Sequence, residues 1–378
     1  MVSIREEQNE FFLQIKHNSY EDPKFATEIA IVTLNKFFPS SRKKAIHINH
    51  DQLDMSMMSQ KIPPYRSYNL DSIYYEQEKV PLYQDFVVKD YFPIINNYTY
   101  LAPRFFVASR ERFIFSGLFL ENDTEIVWKE NLVTSINLKQ SLVDEFDGLF
   151  IKPPTTYPNQ VRSDIKDYLN NMGGRISLGR AQLDYFLSST NSKHHLHLSA
   201  GIFEEMFGGF GFEYLFSNPD TKLAWGIEVF DAYKRDYDLD FDFTDYSNTT
   251  AHLNFFYEND YLIPLTLHLS YGEYLAGDKG FTLDLSRRFN TGFVVGIFAT
   301  KTNLSAIEFG EGSFDKGFYF SIPTKLFYSD FRSGVISFGL HPLTKDGGAM
   351  LSQQNQLFAL FGETNTNSII RDWDYLMK

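Results

Sequence analysis

From Arg104 to the C-terminus, apolar residues recur at every second position, and this period constrains the fold more than any other feature of the chain. Leu196, Leu198, Ala200 and Ile202 alternate with His195, His197, Ser199 and Gly201. Ile263, Leu265, Leu267 and Leu269 alternate with Thr266, His268 and Ser270, and Phe281, Leu283 and Leu285 with Thr282, Asp284 and Ser286. A two-residue period places one set of side chains on each face of an extended strand. Turn residues punctuate the runs, at Asn122-Asp123, Asn218-Pro219-Asp220, Asn259-Asp260, Gly277-Asp278 and Asn290-Thr291-Gly292. The pattern predicts a mainly β, antiparallel up-and-down meander of about 12 strands, many near the ~9–11 residues that cross a bilayer.

Period alone does not separate a membrane barrel from a soluble barrel or sandwich, because any half-buried antiparallel sheet alternates. No run of about 18 apolar residues occurs, which excludes a transmembrane helix and says nothing of a barrel. Three features favour the membrane: aromatic residues near strand ends (Trp128, Trp225, Tyr271), a second face of Gly, Ser, Thr, Asn and charge, and unequal loops. An aromatic share of 17%, with 38 Phe and 23 Tyr, excludes a disordered chain. The net charge of −13 argues against a nucleic-acid partner. The absence of cysteine excludes disulfides and thiolate chemistry.

The beginning of the chain is different. Glu10–Ile15 and Ala45–Ile48 read as strands, and Phe25, Ile29, Val32 and Phe37 read as one face of a helix opening at Asp22-Pro23. Residues 1–64 are therefore expected to form a small α/β segment, 65–103 a connecting segment without steady period, and 104–378 the β-barrel. Met1–Glu10 lacks the apolar core of a signal peptide.

Several strings carry a family resemblance: Gly201–Gly211 (GIFEEMFGGFG), Tyr274–Phe289 (YLAGDKGFTLDLSRRF), Gly296–Thr300, Glu308–Gly317 (EFGEGSFDKG) and Lys345–Gly348. In this order and spacing the chain resembles the YjbH-type exopolysaccharide biosynthesis family, densely from about Gly174 to Gly348 and more weakly from Leu101 to Gly173. The resemblance implies an outer-membrane β-barrel preceded by a periplasmic α/β segment, in the bacterial outer membrane, with polysaccharide export or capsule assembly as its setting. Members of that family carry a signal peptide and further N-terminal sequence that this chain does not show. Many outer-membrane barrels also end on an aromatic residue, whereas this chain ends Tyr375-Leu376-Met377-Lys378, which places the expected closing strand earlier, around Gln356–Phe361.

The expected lumen and inward-loop residues are Glu204, Asp278, Asp284, Arg287, Arg288, Glu311, Asp315, Lys316, Lys345 and Asp346. The run Glu308–Lys316 is too charged and glycine-rich for lipid, so it is expected to fold inward, with Glu311, Asp315 and Lys316 reaching Arg287 or Arg288. Asp236, Asp238, Asp240 and Asp242 read as a carboxylate ladder on one strand face, lacking the Gly and terminal Glu of a calcium loop. His195 and His197 share a face without an evident third metal ligand. Glu204 and Glu205, read as strand neighbours, point to opposite faces and so do not form a glycosidase pair. No nucleophile elbow or phosphate loop occurs, and no catalytic residue, cofactor or metal is expected. The expected function is non-enzymatic export or surface assembly of an exopolysaccharide chain, in contact with outer-membrane lipid. The alternatives are a plugged docking barrel that recruits other polysaccharide secretion proteins, and a soluble carbohydrate-binding β-protein.

Overall fold

The computed structural model describes residues 92–107, 111–129, 131–150, 159–189, 193–218, 221–259, 265–289, 292–305, 314–323, 335–340 and 346–361, the strands within 2–74, and residues 34, 263 and 308. The first sheet holds β1 (Val2–Glu7), β2 (Glu10–His17), β3 (Ala45–Gln52), β4 (Met55–Ile62) and β5 (Ile73–Tyr74). The two strands read from sequence, β2 and β3, pair in parallel, with Phe11, Leu13 and Ile48 buried. A parallel pair requires a crossover connection, which residues 18–44 supply. Of the helix expected there, Leu34 alone is described, and it is helical and buried.

The second sheet is a thirteen-stranded antiparallel meander. It runs through β6 (Ile94–Val107), β7 (Ile114–Lys129), β8 (Leu132–Asp144), β9 (Ile176–Ser188), β10 (His194–Ile202), β11 (Phe207–Ser217) and β12 (Leu223–Arg235). It continues through β13 (Phe243–Asn259), β14 (Leu265–Glu273), β15 (Lys279–Arg288), β16 (Val294–Thr302), β17 (Asp315–Pro323) and β18 (Val335–Leu340). Every strand pairs with its sequence neighbour. The sheet is not closed, and β6 and β18 are its edges. With thirteen alternating strands both edges run in the same direction, so they cannot pair antiparallel with each other.

The strand pattern departs from expectation in three places. β6 begins at Ile94, inside the stretch read as connecting, because Asn96, Asn97 and Thr99 hide its period; Asn96 and Asn97 instead bond Glu125, Asn122 and Thr124 on β7. Asn122-Asp123 is not a turn but the middle of β7, where Asp123 accepts from Tyr100 Oη at 2.7 Å and from Asn137 Nδ2 at 2.7 Å. Asp236–Asp242 is not a strand ladder either. It is a loop wrapped around Arg235, whose guanidinium donates to the carbonyls of Leu239 (2.6 Å) and Asp240 (2.8 Å), with Leu239 buried at a φ of 61°.

The burial pattern is inverted relative to a protein packed for water. On β9 and β10 the occluded residues are Gln182, Asp184, His195, His197 and Ser199, while Leu183, Leu187 and Leu198 are 40–45% exposed. Likewise Thr282, Thr300 and Thr302 are buried where Phe281, Leu283 and Ile297 are exposed. The alternation read from sequence is correct, and its polar face is the inner one.

Two apolar clusters close the ends of this polar interior. At the end where β8, β10 and β12 finish, a 3-10 turn (Phe146–Gly148) and helix α1 (Ile165–Asn171) bury Phe146, Tyr168 and Leu169 against Phe203, Phe207, Phe230 and Leu239. Tyr168 Oη donates to the Arg235 carbonyl at 2.6 Å, so the burial of its ring leaves no orphan hydroxyl. Gly209 permits the tight start of β11: its φ is +150°, and a Cβ there would lie 1.9 Å from the Asp231 carbonyl oxygen. At the opposite end, helix α2 (Leu357–Phe361) packs Leu357 and Leu360 against Val127, Val133, Phe186, Leu215 and Phe256.

That last contact corrects the expected closing strand. Residues 357–361 are helical, with Leu360 N bonded to the Gln356 carbonyl at 3.1 Å. The run Leu357-Phe358-Ala359-Leu360-Phe361 satisfies helical as well as strand spacing, and a run this short does not distinguish them.

Candidate functional site

The polar inner face is built as a set of hubs, and a segment of the chain itself occupies them. Asp184 of β9 accepts from Gln182 Nε2 (2.7 Å), Ser199 Oγ (2.7 Å) and Asn355 Nδ2 (2.9 Å), and its Oδ1 lies 2.8 Å from His197 Nε2. Glu213 of β11 accepts the backbone N–H of Leu357 at 2.8 Å, capping the first turn of α2. Arg180 donates to Gln354 Oε1 at 2.7 Å. Residues 354–357 are thus bonded to β9 and β11 across the interior.

The same segment is latched at its other end. Asp346 is buried, and its Oδ1 accepts three backbone N–H groups, from Val161 (2.9 Å), Arg162 (2.8 Å) and Ser163 (2.9 Å). Asp278, also buried, accepts Gly348 N at 2.8 Å, and burial raises its carboxyl above the ordinary range. Leu275 N donates to the Ala349 carbonyl at 2.9 Å and Arg162 to that of Met350 at 2.7 Å. Residues 346–361 therefore run along the inner face from one apolar cluster to the other, as an internal plug.

Beside the plug lies a cavity of about 760 Å³. Tyr100, Asp123 and Lys139 line it from β6–β8, and Thr282, Phe298 and Asp315 from β15–β17. Strands from opposite ends of the sheet order face one cavity, so the sheet curls around it. Glu204 and Glu205 sit in the turn between β10 and β11, not on a strand, and both carboxylates face this cavity. Glu204 forms a bidentate pair with Arg162 (2.7 and 2.9 Å). Glu205 forms one with Arg104 (2.7 and 2.8 Å) and also accepts from Lys139 at 2.9 Å.

Burial alone would raise the Glu205 pKa, but Arg104 and Lys139 outweigh it and hold the carboxyl well below the usual range. A depressed folded-state pKa contributes stability that is complete above about pH 4.3, where an unpaired Glu ionises, and is lost as acid protonates the folded form. Glu205→Gln, which leaves two cations facing a neutral amide, is expected to destabilise the fold by about 3–5 kcal/mol. It should also flatten the acid limb of the stability profile in urea titrations between neutral and acidic pH. An unchanged acid limb would remove Glu205 as the hub.

The structure places the sequence-read residues as follows. Glu204, Asp284 and Asp315 line the cavity, and Asp278 and Asp346 are latches of the plug. Asp284 accepts from Tyr319 Oη at 2.9 Å. The expected contact of Asp315 and Lys316 with Arg287 or Arg288 is not formed. Register sets Asp315 level with Thr300 and Thr282, whereas Arg287 and Arg288 are level with Phe320 and Ser321, about 17 Å further along at ~3.3 Å per residue. Lys316 lies over Phe314 at 4.8 Å and Arg287 over Phe289 at 4.6 Å. Glu311 and Lys345 lie outside the described residues. Among the described residues, 346–361 folds inward; of the run Glu308–Lys316, residues 309–313 lie outside the described residues. His195 and His197 are both buried on the shared face expected of them, and no group of three metal-ligating side chains forms among the described residues.

Residues that sequence reasoning missed are the partners of these carboxylates: Arg104, Lys139, Arg162, Asp184, Gln354 and Asn355. The inward parity of Lys139 and Asp184 carries a signal; their pairing with the others depends on long-range placement.

Comparison with known proteins agrees with this family of sequences. Residues 2–363 match the family model YjbH, described as exopolysaccharide biosynthesis protein YbjH. A curated relative, the uncharacterized lipoprotein YjbH of Escherichia coli K12, is 33% identical over 266 residues, or 69% of this chain. The chain spans 38% of the length of that relative. Among solved structures, a loop L8 deletion mutant of OmpT, an outer membrane protein of Vibrio cholerae, is similar at 10% identity and a TM-score of 0.29, covering 66% of this chain and 94% of that one. OmpF of Salmonella typhi, in complex with daunomycin, is similar at 9% identity and a TM-score of 0.32, covering 60% and 86%.

Proposed function

Because the chain belongs to the YjbH exopolysaccharide biosynthesis family, we propose that its thirteen-stranded sheet is the wall of an outer-membrane β-barrel serving exopolysaccharide export or surface assembly, without catalysis of its own. The observation that carries this reading is the inverted burial: polar side chains such as Asp184 and His197 inside, leucines such as Leu183 and Leu198 outside. In water this arrangement would forgo roughly 25 cal/mol for each Å² of apolar surface left exposed. In a bilayer the same face is correctly solvated, and the wet interior satisfies the polar one.

Loop lengths support an orientation. At the end where β6 begins, nearest the first sheet in sequence, five of the six connections span five residues or fewer and 324–334 spans eleven; the longest connection, 145–175, lies at the other end. Outer-membrane barrels pair short periplasmic turns with longer outer loops, which supports a periplasmic N-terminal sheet.

A second reading, a plugged barrel that recruits partners of a polysaccharide secretion complex, is favoured by the occupation of the lumen by residues 346–361. Extraction tests the premise common to both. The chain is expected to stay with membranes until detergent is added and to migrate faster on gels before heating than after. Release by salt or carbonate, with a single mobility, would instead favour a soluble carbohydrate-binding protein.

A further inference from the structure

The cavity beside the plug carries more negative charge than its own cations offset. Six carboxylates line it (Glu121, Asp123, Glu204, Glu205, Asp284 and Asp315) against three cations (Lys139, Arg162 and Arg180), with a fourth, Arg104, paired to Glu205. Those cations are already engaged: Arg162 by Glu204, Arg104 by Glu205, Lys139 by Glu205 and, at 3.5 Å, Glu121, and Arg180 by Gln354 and the Phe203 carbonyl. Asp123 and Asp284 stand on opposite walls, on β7 and β15. The donors that hold them, Tyr100 and Asn137 on Asp123 and Tyr319 on Asp284, are neutral, so these fix the carboxylates in place without cancelling their charge. The volume of about 760 Å³ falls within the ~300–1,000 Å³ typical of small-molecule sites. The walls offer carboxylate oxygens, side-chain amide and hydroxyl groups and one partly exposed phenol ring, groups able to take up sugar hydroxyls and a sugar face.

We propose that this cavity is a charge-selective saccharide site, which takes an amino-bearing oligosaccharide segment in preference to a neutral one and excludes a segment bearing uronate or phosphate groups. The inference rests on the polysaccharide role proposed above and adds the class of sugar. Fixed carboxylates facing each other across a narrow lumen act on a ligand as acidic rings act in cation-selective pores. Their field is strengthened by the low dielectric of the surrounding wall.

Calorimetric titration of the whole chain in neutral detergent, at low salt and near-neutral pH, compares three probes: a glucosamine tetramer, a glucose tetramer and a galacturonate tetramer. The glucosamine tetramer is expected to bind about tenfold more tightly than the glucose tetramer, an advantage that added salt erodes, and the galacturonate tetramer to give no binding heat. The double variant Asp123→Asn/Asp284→Asn keeps acceptor oxygens for Tyr100 and Tyr319, and is expected to bring the glucosamine and glucose affinities to within about threefold. If that variant loses its heat-modifiable mobility, Asp284→Asn alone serves, with a smaller shift in the same direction. Galacturonate binding as tightly as glucosamine would overturn the charge selectivity while leaving the polysaccharide role intact. Absence of binding by all three would overturn the site itself. Full retention of the preference in the folded variant would remove Asp123 and Asp284 as its source.

Discussion

Leu283→Arg is expected to block assembly of the chain into membranes, whereas Asp284→Arg, one residue further along β15, is expected to assemble normally. Leu283 is 38% exposed on the outer face, in an apolar row with Phe281 and Leu285. An arginine there meets hydrocarbon, at a cost of about 2–4 kcal/mol near the midplane of a barrel wall. Asp284 faces the cavity, where an arginine side chain finds space and the carboxylates of the opposite wall. The loss of the Tyr319 bond is the main penalty on that side, about 1 kcal/mol. Refolding yield into vesicles, scored by heat-modifiable mobility, separates the two variants. Equal yields would mean that the two faces of β15 see the same solvent, which is incompatible with a membrane wall.

That experiment addresses the part of the fold that was legible in the sequence. A period of two states which residues share a face, and Leu283 and Asp284 fell on the faces that the structure gives them. Period does not state which face is inside. This depends on what the other strands bring opposite, and here Asp184, Glu213 and the plug make the polar face the inner one. Local composition also misled where polar residues are cross-strand partners rather than turn formers. Asn122 and Asp123 carry turn chemistry, yet the long neighbours β6 and β8 supply bonds for both mid-strand. The charged run Glu308–Lys316 has the composition of an inward loop, but register separates Asp315 from Arg287 by several residues along the sheet. The segment that does fold inward, 346–361, is short, mixed in polarity and without period. Of it the sequence marks only Asp346 as inward, because the partners of the rest, Asp184, Glu213 and the backbone of 161–163, lie well over a hundred residues away in the chain.

Release of that segment is the largest functional change expected of a small alteration. The plug is held by buried hydrogen bonds at both ends and by the apolar packing of Leu357 and Leu360 at one, so weakening the two latches together should loosen its Asp346 end and let it exchange with a displaced state. Asp346→Ala removes the acceptor of three backbone N–H groups, each costing about 1–3 kcal/mol if left buried without a partner. Asn355→Ala removes the bond to Asp184. Such penalties vanish when water reaches the exposed groups, which favours the state with the plug displaced. In planar bilayers the unaltered chain is expected to be nearly silent, because residues 346–361 occupy the space between β9–β11 and the cavity. The double variant is expected to flicker between closed and conducting states, and deletion of 346–361 to conduct steadily. Loss of α2 also removes Leu357 and Leu360 from the cluster with Phe186 and Phe256, so folding of the deletion must be checked by its gel mobility. A deletion variant that folds and conducts places the plug between the two compartments and supports an export path through the lumen. One that folds and stays silent would sink the export reading, because no polymer passes where ions cannot, and would leave a closed barrel whose role is to hold partners at the membrane.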